Sequence, residues 1–154
     1  MSASQNGHEP CARALIEARA NINATLEGGE TALIFASQTG HEPCARALIE
    51  AGANINATLE GGETALIFAS LFGHEPCARA LIEAGANINA TEDRGKTALM
   101  AASLIGHEPC ARALIEAGAN INATLEGGET ALIFASQFGH ESCARALIEA
   151  GAKR

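Results

Sequence analysis

The chain repeats itself. The string GHEPCARALIEA begins at Gly7, Gly40, Gly73 and Gly106, and returns at Gly139 with Ser142 in place of the proline, so each step is 33 residues. Cys11, Cys44, Cys77, Cys110 and Cys143 keep the same spacing, as does ETAL at Glu30, Glu63 and Glu129, with KTAL at Lys96. A period of this length excludes a domain with one private core. Units of 20–50 residues bury their apolar faces on one another, and the fold is a stack. The units are residues 24–56, 57–89, 90–122 and 123–154, preceded by a partial unit, 1–23, that starts midway through the pattern. No linker interrupts them, so residues 1–154 read as a single array.

One unit shows what each copy builds. Thr31 precedes the apolar run Ala32 to Ala36 and has the chemistry of a helix N-cap. Gly40 ends that short helix, where a positive φ is commonly required. His41-Glu42-Pro43 opens a second helix: proline suits the first turn, and Glu42 suits the positive end of the helix dipole. Ala45, Leu48 and Ile49 follow, and Gly52 stops the helix. The stretch Asn54 to Glu63 is polar and glycine-rich, which predicts a hairpin-like finger with its tip at Leu59-Glu60-Gly61-Gly62-Glu63. Two short helices cannot bury enough surface alone, so the unit is stable only against its neighbours.

These features resemble the ankyrin repeat: the 33-residue period, Thr-x-Leu followed by Ala, the Gly-His turn, Leu-Ile in the second helix and the exit Gly-Ala-Asn-Ile-Asn. The likeness covers essentially the whole chain. It implies an all-α solenoid of helix-turn-helix units with short β-hairpin fingers. The chain departs from the family pattern at Ala32 and Ile34 of Thr31-Ala32-Leu33-Ile34. It departs again at Leu26, Leu59, Leu125 and Glu92 before the finger tips, and at Cys44 and its copies. The resemblance implies a protein that binds other proteins through its finger tips and the concave face of its first helices, and that is not an enzyme. Fold alone does not fix function.

Differences between copies show where such contacts are expected. Units 24–56 and 57–89 differ only at Gln38 against Leu71 and Thr39 against Phe72. The third unit has Leu104 and Ile105 there, and the fourth has Gln137 and Phe138. The third also carries the tip Glu92-Asp93-Arg94-Gly95-Lys96, with Met100 and Ala101 for Ile67 and Phe68. Variation therefore gathers on the finger and first helix. Leu71, Phe72, Leu104, Ile105 and Phe138 would form an apolar stripe, bordered by Arg94, Lys96, Met100 and Gln137; a contact surface of this kind is one reading. In the other, these side chains fill gaps between adjacent first helices. The acidic tips, Glu27, Glu30, Glu60, Glu63, Glu126 and Glu129, read as a solvated row or as a field steering a basic partner.

Composition removes other classes. With 18 acidic and 10 basic residues the net charge is −8, and aromatics are 3%, a poor match to phosphate backbones and stacked bases. No apolar run approaches the ~20 residues of a membrane span, and no secretory leader is apparent. His41 and Cys44 lie three apart, a spacing that could offer two zinc ligands. Helices of neighbouring units pack ~8–10 Å apart, which is too far for one ion or a disulfide ladder. No metal, cofactor or small-molecule substrate is expected. Five cysteines, an odd count, read as free, reduced thiols in a cytoplasmic setting. A Cys–His pair copied five times is a packing pattern, whereas an active site is single. Asn23-Ala24-Thr25 and its copies at Asn56, Asn89 and Asn122 match a glycosylation sequon, but the asparagine is expected to close the finger.

Arg19 stands where Gly52, Gly85, Gly118 and Gly151 stand in the other copies. The last unit keeps Ile133, Phe134, Leu147 and Ile148 rather than polar capping residues. Units this alike point to recent duplication or to an engineered array built from one unit. The expectation is a non-enzymatic protein-binding scaffold. The alternative is a self-associating structural protein, a homodimer through the stripe or an end-to-end stack.

Overall fold

The computed structural model describes residues 21–25 and 27–153. Most of the partial unit lies outside them, including Cys11 and the expectation attached to Arg19; Leu26 and the side chain of Glu27 do as well. After a 3₁₀ turn at Glu27–Gly29, eight helices follow among the described residues. They are α1 (Ala32–Thr39), α2 (Glu42–Glu50), α3 (Ala65–Leu71), α4 (Glu75–Glu83), α5 (Ala98–Ile105), α6 (Glu108–Glu116), α7 (Ala131–Gln137) and α8 (Glu141–Glu149). First helices pack on first helices (α1, α3, α5, α7) and second on second (α2, α4, α6, α8), while each pair also packs within its unit. This is the all-α solenoid.

The local signals act as the residue chemistry requires. Thr31, Thr64, Thr97 and Thr130 cap the first helices, each hydroxyl accepting from the amide three residues on at 3.1–3.2 Å. Proline occupies the first turn of α2, α4 and α6. The fingers are tighter than a hairpin with true strands: each of the middle two holds one antiparallel bridge, Thr58 with Thr64 and Thr91 with Thr97. Leu59 N–H donates to Glu63 O at 2.9 Å and Gly62 N–H to Leu59 O at 2.9 Å, closing a turn at the tip.

The core is continuous from unit to unit. Leu33, Leu48, Leu66, Leu81, Leu99, Leu114 and Leu147 are all but fully buried. Between them lie alanines, among them Ala69, Ala102 and Ala135, whose small side chains let adjacent helices approach. Most of the chain's chemistry is spent on these junctions.

Candidate interaction surface

The stripe positions sit at the C-terminal ends of α3, α5 and α7. Phe72 caps α3 and is 49% exposed, Ile105 is the last residue of α5 and 46% exposed, and Phe138 caps α7 and is 54% exposed. Leu71 and Leu104 are half-buried, and Gln137 is exposed. The ring of Phe72 stacks nearly parallel on Phe68, one turn earlier, with centroids 6.2 Å apart. That contact holds the exposed ring in place. Met100 does not belong to this surface. It is 1% exposed, filling the core position that Ile34 and Ile67 occupy in the preceding units. The expectation that it borders a contact is corrected accordingly: exchanging Ile for Met conserves volume and repacks a core.

The third finger tip differs in how it is folded as well as in charge. In the second and fourth tips a glutamate carboxylate lies over a glycine: a Cβ on Gly61 would meet Glu63 Oε1 at 2.8 Å, and one on Gly127 would meet Glu129 Oε1 at 2.7 Å. Arg94 brings a Cβ to that place, and Lys96 removes the carboxylate. Glu92, standing where the others have leucine, takes over. Its Oε1 accepts from Arg94 N–H at 2.7 Å and Lys96 N–H at 3.1 Å. The three substitutions form one coupled set. They leave Arg94 exposed and Lys96 half-buried among the acidic tips, neither in an ion pair among the described residues. Tips are joined by Glu60 N–H to Gly28 O at 2.9 Å and Asp93 N–H to Gly61 O at 2.7 Å. Among the described residues no such bond joins Arg94 O to Glu126. A shallow cleft lined by Asp93, Arg94, Leu125 and Glu126 opens there instead.

The histidines and cysteines are committed to junctions. His74 Nε2 donates to Gln38 O at 3.1 Å and His140 Nε2 to Leu104 O at 3.0 Å, each reaching the end of the preceding unit's first helix. Cys77 Sγ lies 4.0 Å from Ala36 O, and Cys110 Sγ 3.8 Å from Ala69 O. Burial pushes the Cys77 thiol up to about 11 and that of Cys110 up to about 12, and raises that of Cys143. A thiol held protonated is a poor nucleophile and a poor zinc ligand. Among the described residues no three His, Cys, Asp or Glu side chains gather as a metal site.

Two further junction contacts escape sequence reasoning. The sequon asparagines reach forward: Asn23, Asn56, Asn89 and Asn122 accept on Oδ1 from the amides of Asn54, Asn87, Asn120 and Lys153 at 2.6–3.0 Å. The intra-unit turn is closed by the other asparagines, as where Asn54 Oδ1 accepts from Asn56 N–H at 3.1 Å. On the second helices, Arg46, Arg79 and Arg112 each pair with a glutamate one turn earlier. Each also reaches the next unit, to Glu83 at 3.3 Å, Glu116 at 3.5 Å and Glu149 at 3.8 Å respectively. No helix among the described residues is long and apolar enough to cross a membrane.

Against known families, the model described as Ankyrin repeats (3 copies) matches residues 1–92 and again 85–153. No curated protein matches the chain. Proteins with such repeats are generally protein-interaction scaffolds and typically not enzymes.

Proposed function

The chain belongs to the ankyrin repeat family, and from that premise we propose that it is a non-enzymatic scaffold that binds another protein across its first-helix face. The array runs through residues 1–154 and is built from copies of one unit, in keeping with an engineered origin: units 24–56 and 57–89 differ at two positions. The observation that carries the reading is the row of Phe72, Ile105 and Phe138, each about half exposed at the same place in successive units. Leu71, Leu104 and Gln137 flank this row, and Arg94 and Lys96 supply positive charge at the tip of the middle unit. Large apolar side chains aligned in this way favour a contact surface, and a rim of charge sets the register of the partner. Replacing Phe72 and Ile105 together by glutamate is expected to abolish partner binding at unchanged far-UV circular dichroism. Binding that survives the double substitution overturns the stripe.

A further inference from the structure

Neighbouring fingers are tied tip to tip until the third meets the fourth. Glu60 N–H donates to Gly28 O at 2.9 Å and Asp93 N–H to Gly61 O at 2.7 Å. One period on, the same bond would run from Glu126 N–H to Arg94 O, yet among the described residues neither group has a hydrogen-bond partner. The glycines beside these bonds measure the gap. A Cβ on Gly29 would lie 3.4 Å from Leu59 Cα and one on Gly62 3.1 Å from Glu92 Cα, but one on Gly95 would lie 3.9 Å from Leu125 Cα. All three glycines have a φ of 90–93°, so the difference lies in where the next finger stands. The space left is an open cleft of about 400 Å³, with Asp93, Arg94, Gly95, Leu125 and Glu126 among its lining residues.

Three groups at this cleft are unspent, and they are of different kinds. Glu126 N–H is a donor and Arg94 O an acceptor, while the exposed Arg94 guanidinium makes no ion pair among the described residues. One peptide unit satisfies the first two, its C=O accepting from Glu126 and its N–H donating to Arg94 O. A carboxylate on the same segment satisfies the third, because arginine presents a planar fork of donors. The surrounding charge decides what flanks that carboxylate. Asp93 and Glu126 line the cleft, and Glu60, Glu63 and Glu129 stand on the tips to either side. They repel a free anion or a run of acidic residues and attract a basic segment. The places equivalent to Arg94 in the other tips are Gly28, Gly61 and Gly127, so no other tip offers the same cation.

We infer that the cleft between the third and fourth fingers docks a loop of the partner protein in which one acidic residue stands among basic ones. The acidic side chain would pair with Arg94, and the loop's backbone would bridge Arg94 O and Glu126 N–H. Lys96, half-buried on the same tip, adds to the positive potential. The inference rests on the scaffold reading above and names the partner's chemistry at one point: the stripe supplies apolar contact, and the cleft fixes register along the array.

The test is amide nitrogen–proton correlation spectroscopy of the full chain, titrated with a short synthetic lysine–glycine peptide carrying one central aspartate. The same peptide with central asparagine, and sodium acetate, are the comparisons. The aspartate peptide is expected to shift the amides of Gly95 and Glu126 most and to bind about fivefold more tightly than the asparagine peptide. Acetate should leave both amides unmoved. Arg94→Gln, which keeps a Cβ at that place, should erase the difference between the peptides while amides away from the third tip stay where they were. Phe72→Glu with Ile105→Glu should preserve the difference, because the peptide has no apolar side chain to set on the stripe; loss of the stripe reading and loss of this one are thereby told apart. Shifts spread evenly over the acidic tips, equal binding of the two peptides, a preference that survives Arg94→Gln, or shifts produced by acetate alone each overturn the inference.

Discussion

Single residues in this chain do two jobs, and the glycines after the first helices show it best. Gly73 has a φ of 75°, and a Cβ there would lie 2.6 Å from His107 Nδ1. Gly85, after the second helix, has a φ of 94° with open space around it. Gly85→Ala therefore meets only the left-handed strain, about 1 kcal/mol. Gly73→Ala adds displacement of a packed ring and is expected to cost about 2–4 kcal/mol in all. Urea titration of the two variants measures the difference; equal costs would mean that the histidine is not held there. The cysteines make a second argument at this scale. The Cys77 and Cys110 thiols are raised from 9.0 to about 11 and about 12. Their protonated form is favoured by folding, so their contribution to stability is complete below pH 9 and is lost as pH climbs toward 11–12. Between pH 9 and 11 each thiol should remove about 1.4 kcal/mol of stability per pH unit. With no tyrosine and only two lysines in the sequence, the chief other group in that window is Cys143, whose thiol burial also raises. Thermal melts from pH 8 to 11 should show the decline, and Cys77→Ala with Cys110→Ala, although less stable at pH 8, should make it shallower, leaving the part that Cys143 contributes.

At the scale of elements, the third finger tip is a solved puzzle in miniature. Glu92 closes it by accepting from two backbone amides, because Arg94 has displaced the glutamate-over-glycine arrangement of the other tips. Glu92→Leu alone, which restores the residue of its neighbours, is expected to cost about 1–2 kcal/mol. Restoring all three positions, with Arg94→Gly and Lys96→Glu, should recover most of it, since residues in one hydrogen-bonded set do not act additively. Additive costs in a denaturation cycle would show the three changes to be unrelated. The same scale shows what could be read from the sequence. Threonine caps, proline at helix starts and glycine stops act through bonds three to five residues long, and each was legible as spacing. The sequon asparagines were not: they were expected to close their own fingers, yet each bonds the backbone of the next unit, 31 residues on. Met100 misled for a related reason. Its variation looked like surface variation, but one core position accepts Ile or Met at similar volume, and periodicity alone does not separate the wall of a junction from its rim.

For the whole molecule, stability should follow the number of junctions each unit makes. Helices α3 to α6 have packed neighbours on both sides, whereas α7 and α8 have them on one. The side chains record that difference: Ile67 is 2% exposed and Ile133 is 46% exposed, in identical local sequence. Local propensity is therefore the same, and only burial against a neighbour separates the two. In such a stack, opening free energy is close to a sum of unit and nearest-neighbour terms. Amides of α7 and α8 should exchange fastest at low protein concentration, and those of α4, α5 and α6 slowest. The units can be told apart by mass, because Leu71-Phe72, Leu104-Ile105 and Gln137-Phe138 label their first helices and Ser142 labels the last second helix. The prediction sharpens with two matched cavities. Leu114 and Leu147 are equally buried, so each change to alanine removes a similar contact, worth about 2–5 kcal/mol. Leu114→Ala lies between two junctions and should lower protection throughout α3 to α8. Leu147→Ala should leave α3 to α6 largely protected and release α7 and α8 alone. Hydrogen exchange that falls uniformly in both variants would show the chain to unfold as one block, and the junction bonds to be strong enough to erase the difference between an inner and an outer unit.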